Sequence, residues 1–142
     1  MSTLGELCRR DVYFVRAGQT VLDACRYMTE RNVGAVAVLE EERLVGIFSE
    51  RDVLNRVVAK GLDPAATPLT SVMTPNPVVV DIAAPIQECL QIMRQANCRH
   101  LPVVSAGKLA GMVSLRDALE VDLEDTTHEI KQMRAYIHGT VE

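Results

Sequence analysis

Sliding the chain along itself by 65 positions, with no gap, lays Gly46 on Gly111 and superimposes its two halves. Val15 then meets Val80, Met28 meets Met93, Asn32 meets Asn97, Val38 meets Val103 and Leu44 meets Leu109. The agreement continues with Ser49 on Ser114, Arg51 on Arg116, Asp52 on Asp117 and Leu54 on Leu119. Conservative pairs such as Val21 with Ile86, Asp23 with Glu88 and Arg43 with Lys108 extend it. Unrelated residues would agree at roughly one position in sixteen at average usage, so the chain is a duplication. A unit this small leaves one hydrophobic face uncovered when alone, and tandem copies bury it against each other. The expected architecture is therefore two copies packed sheet to sheet about a pseudo-twofold axis, with equivalent residues around a shared cleft.

Each copy reads as β-α-β-β-α. An extended run (Val12 to Val15; Pro77 to Val80) is rich in β-branched and aromatic residues. In the first copy Thr20 can cap a helix, with Asp23 three residues on and Val21, Leu22, Cys25 and Met28 at helical spacing. In the second, Pro85 suits the first helical position, ahead of Ile86, Leu90 and Met93. Asn32 and Asn97 stand where a left-handed residue would end each helix. Two apolar strands follow (Ala35 to Leu39 and Leu44 to Phe48; Leu101 to Val104 and Leu109 to Val113), then a second helix at Ser49 or Ser114. Lys60 to Asn76, carrying Gly61, Pro64, Pro68 and Pro75, is too proline-rich for a regular element and reads as a linker. The expected division is a first repeat at 1–60, linker 61–76, second repeat 77–122 and a C-terminal helix 123–142, in the α+β (mixed α/β) class. Along that last helix Leu123, Ile130 and Ile137 are seven apart with Met133 between, an a/d-like stripe that suits either its own domain or a second chain.

Composition narrows the function. With no Trp, two Phe and three Tyr, the core must be aliphatic. A net charge of −4 speaks against a nucleic-acid footprint, so an anionic ligand needs a local cluster of positive charge. No run reaches the roughly 18 apolar residues of a membrane span, and Glu6, Arg9, Arg10 and Asp11 interrupt the N-terminus; the expectation is a soluble, cytoplasmic chain with no membrane partner. Cys8, Cys25, Cys89 and Cys98 form no C-x-x-C pair and suit reduced, buried thiols. Cys98 lies beside Arg99 and His100 without a third group to orient a catalytic pair. His128 and His138 lack zinc-ligand spacing. Neither G-x-G-x-x-G nor G-x-x-x-x-G-K-[ST] occurs. No catalytic or metal residues are expected, and no enzyme.

The motif shared by both copies is Gly46-Ile47-Phe48-Ser49-Glu50-Arg51-Asp52 and Gly111-Met112-Val113-Ser114-Leu115-Arg116-Asp117, the pattern G-h-x-S-x-R-D. It places a strand end at a helix N-terminus, where backbone N–H groups and the dipole favour a phosphate. The Asp can accept from a ribose diol, and the Arg can fork onto phosphate. Ser-x-x-Asp is equally a capping box, which duplication would copy just as faithfully.

The duplicated β-α-β-β-α unit ending in G-h-x-S-x-x-D resembles the CBS (cystathionine-β-synthase) domain family, as a stand-alone pair covering roughly Val12 to Asp122. The resemblance implies a regulatory module whose clefts bind an adenosine-containing ligand: AMP, ADP, ATP, S-adenosylmethionine or NADH. It further implies a homodimer and a separate effector protein that reads the bound state, with no cofactor required. Carried over by position, the favoured site comprises Asp117 on ribose, Ser114 and Arg116, Met112, the basic Arg99 and His100 toward phosphate, and Val12, Tyr13, Val33 and Ala35 against adenine. A second site comprises Asp52, Ser49, Arg51, Ile47, Pro77 and Val78, in a copy that has Ala37 where the other has Pro102. Asp117→Ala is then expected to weaken binding more than Asp52→Ala. His100 has a plain structural reading as well, stacked in the interface. The rival for the whole chain is a structural interaction and dimerisation module whose ligand sites are lost.

Overall fold

The computed structural model describes residues 4–7 and 12–137; Cys8 and His138 lie outside them. Helix α1 is Leu4–Leu7 and strand β1 is Phe14–Arg16. Helix α2 (Val21–Arg31) starts at the expected cap: the Thr20 hydroxyl accepts from the Asp23 N–H at 3.3 Å, and the Asp23 carboxylate accepts from the Thr20 N–H at 3.0 Å. Hydrogen bonds donated by Thr20 to the carboxylate, from its backbone N–H first and its hydroxyl second, hold the Asp23 carboxyl below its usual range. Asn32 ends the helix at φ 54°, its N–H shared by the Met28 and Thr29 carbonyls. Strands β2 (Ala35–Glu40) and β3 (Arg43–Ser49) follow.

These elements return 65 residues later with the same lengths, as α4 (Ile86–Ala96), β6 (His100–Ser105) and β7 (Lys108–Ser114), with Asn97 at φ 52° closing α4. Pro85 stands one place outside α4, at the N-cap, rather than as its first helical residue. The leading strands start later than the sequence indicates, at Phe14 and at Val80 in β5 (Val80–Asp81). In each copy the leading strand pairs parallel to the next, and the hairpin strands pair antiparallel. The class is mixed α and β, two sheets with helices packed on them.

The proline-rich stretch differs from expectation. A 3₁₀ turn at Leu69–Ser71 leads into β4 (Thr74–Pro75), which adds a fourth strand to the first sheet, in the order β1-β2-β3-β4. Pro75 is tolerated because β4 is an edge strand, where a missing N–H costs little. Gly46 is what lets β4 approach: a Cβ there would lie 3.0 Å from the Thr74 carbonyl and closer still to Met73. The second sheet keeps three strands, β5-β6-β7.

The two cores also cross the expected boundaries. Leu69 and Val72 are buried in the first copy's core with Val15, Val21, Met28, Val36, Val38 and Phe48. Leu4, 65 positions before Leu69, is buried in the second copy's core with Ile86, Met93, Leu101 and Val113. The segment that leads into each copy thus packs in the core of the other. The last helix departs too. One continuous helix, α5 (Leu115–Ile137), replaces the separate helices expected on either side of residue 122. Its first-copy counterpart is short, α3 (Glu50–Asp52), and widens at once into a π-helix over Val53–Val58. Among the described residues no helix is long and apolar enough to cross a membrane.

Candidate functional site

The two sheets meet along β3 and β7, and beside that seam a cleft of about 330 Å³ opens between the copies. That volume lies at the lower end of small-molecule sites. One wall is the first motif. Alternation along β3 turns Phe48 into the core, 0% exposed, and leaves its neighbours Ile47 and Ser49 on the cleft. Ser49 caps α3: its hydroxyl accepts from the Asp52 N–H at 3.3 Å and donates to the Asp52 carboxylate at 3.2 Å, while its own N–H donates to that carboxylate at 3.0 Å. The capping reading of Ser-x-x-Asp therefore holds in the first copy. Asp52 completes a capping box and also lines the cleft, almost fully buried. A carboxylate has about four acceptor positions, so the cap leaves capacity for a ligand.

Arg56 was not singled out from the sequence. Its Nε lies 3.6 Å from Asp52 Oδ1, and its Nη1 donates to the Val72 and Met73 carbonyls at 3.2 and 3.0 Å. It ties the carboxylate to the crossing segment ahead of β4, and it lines the cleft itself. The signal was present: Arg56 sits one helical turn after Asp52, where opposite charges meet, and position 121 of the other copy holds Val instead.

The facing wall comes from the second copy. The end of α4 and the start of β6 bring Arg99, His100, Leu101 and Pro102 to the cleft, with Pro77 and Val78 completing it. All six residues of the lesser expected site, Asp52, Ser49, Arg51, Ile47, Pro77 and Val78, are thus gathered here. Arg99 and His100, expected with the Asp117 group, line this cleft too. Three guanidinium side chains, Arg51, Arg56 and Arg99, share the space with Glu50 and Asp52. These side chains leave the cleft a small excess of positive charge.

The rest of the favoured group lies elsewhere. Asp117 is exposed; its N–H donates to Ser114 Oγ at 3.1 Å, and Arg116 turns out to an ion pair with Glu120 at 3.4 Å. Met112 faces Pro102 across the β6–β7 ladder, Ala35 is buried in β2, and Val33 packs on the first core. Val12 precedes β1, half-buried. The physical reason for the asymmetry stands 65 positions before the cleft's own walls. Where the cleft has Ala96 and Val78, the matching places hold Arg31 and Tyr13. The Arg31 guanidinium stacks 4.0 Å from the Tyr27 ring centre and 6.0 Å from that of Tyr13, and the two rings meet edge to face at 6.5 Å. A packed cation–aromatic group occupies that wall.

His100 lies between the two motifs. Burial pushes its pKa below the usual value; the Glu50 and Asp117 carboxylates pull the other way, and Arg99 adds to the depression. The unfolded chain therefore binds this proton first as pH falls. The stabilisation is complete at neutral pH and is lost as pH drops through the unfolded value of 6.5 toward the lower folded one. Urea unfolding at stepped pH should show midpoints falling below about pH 6.5, and His100→Gln should flatten that part of the curve. An unchanged slope in the variant would assign the loss to other groups. The Cys98 thiol, also on the cleft, is raised by burial and so lacks the thiolate character of a nucleophile. Among the described residues no cluster of His, Cys, Asp and Glu could hold a metal ion.

Two mixed α/β copies in tandem, with a carboxylate-bearing cleft between them, define a paired two-repeat module. The family model for the CBS domain matches the chain twice, at residues 4–59 and 69–124, and the chain belongs to that family. Both matches begin at the exchanged leucines, Leu4 and Leu69. A curated relative, the mitochondrial CBS domain-containing protein CBSX3 of Arabidopsis thaliana, is 31% identical over 125 residues, 84% of this chain and 61% of the relative. Two further Arabidopsis relatives are spanned for only 20% and 18% of their length. The solved CBS-domain containing protein of Agrobacterium tumefaciens superimposes with TM-score 0.78 at 27% identity, covering 85% of this chain and 99% of that one. A CBS domain protein from Pyrobaculum aerophilum, complexed with AMP, superimposes with TM-score 0.76 at 29% identity, covering 82% and 89%.

Proposed function

We propose that the cleft between the copies binds an adenosine-containing ligand and that the chain is a regulatory sensor rather than an enzyme. Asp52 accepts from the two ribose hydroxyls. Ser49 and the arginines Arg51, Arg56 and Arg99, with His100, face the phosphate, and adenine lies against Ile47, Pro77 and Val78. The observation that carries this reading is the burial of Asp52 on a cleft edged by three guanidinium groups. The AMP complex of the Pyrobaculum relative supports the ligand class. The Asp117 group is the weaker of the two sites, because the Arg31–Tyr27 stack stands on its matching wall. A separate effector protein reads the bound state.

Thermal shift with AMP, ADP, ATP, S-adenosylmethionine and NADH tests the proposal. A ligand at 100 times its Kd adds about 2.7 kcal/mol, which raises Tm by roughly 5–10 °C in a chain of this size. No shift with any of the five would leave the structural dimerisation module as the better reading.

A further inference from the structure

Arg56 joins three parts of the structure through one guanidinium. Its Nε lies 3.6 Å from Asp52 Oδ1, its Nη1 donates to the Val72 and Met73 carbonyls at 3.2 and 3.0 Å, and the side chain borders the cleft. The two carbonyls belong to the stretch from Leu69 to Asn76, which supplies Thr74 to the cleft and runs straight on into its Pro77 and Val78. Leu69 and Val72 fix the start of that stretch in the first core. Beyond them β4 pairs with β3 at two positions, Gly46 with Pro75 and Ile47 with Thr74, and the Asn76 N–H donates to the Val45 carbonyl at 3.2 Å. An edge ladder this short belongs to the low-stability end of a structure.

Arg56 itself stands on an uncommon element. It lies in the π-helix over Val53–Val58, where the Ala59 N–H donates to the Leu54 carbonyl at 2.9 Å, and such wide turns recur at functional sites. The second copy has Val121 at the matching position, in an α-helix and packed on the core. The clasp is therefore not something the repeat needs in order to fold. Its strength depends on what fills the cleft. The Asp52 side chain is 12% exposed and that of Arg56 46%, so in an open cleft water screens the pair and it contributes little. A ligand that displaces this water lets the same charges attract several times more strongly. A planar guanidinium held at one edge then loses less freedom in keeping its bonds to the two carbonyls.

We propose that Arg56 is a positioning residue that couples occupancy of the cleft to the docking of residues 69–76. Ligand in the cleft fastens the stretch onto the first sheet, and loss of ligand loosens it. Coupling of this kind is reciprocal, so the docked stretch also raises the affinity for ligand. The inference rests on the nucleotide reading of the cleft and gives the bound state a change in structure, in the chain that crosses between the copies.

Amide hydrogen exchange of the full chain, with and without saturating AMP or ATP, measures the coupling. The amides of Val72, Met73 and Asn76, bonded to the Leu69 and Val45 carbonyls, should exchange at least about fivefold more slowly with nucleotide bound, the lower end of ordinary coupling. Arg56→Lys keeps the charge without the planar fork, and Arg56→Val installs the residue of the other copy. Both variants should keep their circular dichroism and bind nucleotide more weakly. At concentrations that calorimetric titration shows to saturate them, neither should slow the three amides. Nucleotide binding that leaves these amides unchanged in the wild-type chain overturns the coupling and leaves the nucleotide reading standing. Slowing that persists in both variants overturns the role of Arg56. If neither nucleotide binds, the reading of the cleft fails and the coupling falls with it.

Discussion

Replacing Asp52 by Ala should weaken binding of the proposed adenosine ligand by about two orders of magnitude or more, while Asp117→Ala should change it far less. A hydrogen bond to a charged acceptor contributes about 1.5–3 kcal/mol, and two ribose hydroxyls facing one buried carboxylate would lose both. Tenfold in affinity corresponds to about 1.4 kcal/mol. The complication is that Asp52 also caps α3, so its loss disturbs the helix start. Asp23 supplies the control: it closes the same kind of capping box on α2, fully exposed and away from the cleft. Asp23→Ala should lower Tm and leave the titration unchanged. Calorimetric titration of AMP into the three variants decides the matter. Equal losses from Asp52→Ala and Asp117→Ala, or any loss from Asp23→Ala, would count against placing the ribose at Asp52.

Phe48→Ala should cost about 3–5 kcal/mol of folding stability, the usual range for truncating a buried aromatic residue. Phe48 is 0% exposed and is the largest of the fully buried side chains. It contacts a core built from both the first copy and the crossing segment, through Leu69 and Val72. Its counterpart at position 113 is Val, so the matching truncation in the second copy removes less volume and should cost less. Because Phe48 turns away from the cleft while Ile47 and Ser49 turn toward it, the variant that remains folded at low temperature should still bind ligand. Denaturant melts compared with titrations below the transition test both halves of this expectation. A loss of binding in the folded variant would mean that the core and the cleft are not separable across β3.

Much of the fold was legible in the residues because local rules act over a few positions. Thr20 with Asp23, and Asn32 with Asn97, mark helix ends by hydrogen bonds and backbone preferences that need no tertiary partner. The hairpins were equally plain from apolar runs broken by polar turns. The part that Lys60 to Asn76 plays in the first sheet was not legible, for the converse reason. Proline and glycine forbid a long regular element, but they do not forbid a two-residue edge strand lying over Gly46. The exchange of Leu4 and Leu69 between the cores was invisible, although the 65-residue shift already aligned them, since similarity of two leucines says nothing about which core each one enters.

The sequence by itself determined that this chain is a duplicated unit of the CBS type, with one Ser-x-x-Asp helix start in each half. Only the tertiary structure brings Asp52 to a cleft walled by residues of the second copy. Both motifs obey the same local chemistry, so nothing within four residues of either Asp can distinguish them. What separates them is the wall contributed by other parts of the chain. Asp52 looks toward Ala96, Val78 and Arg99, whereas the corresponding wall on the Asp117 side carries Arg31 stacked on Tyr27.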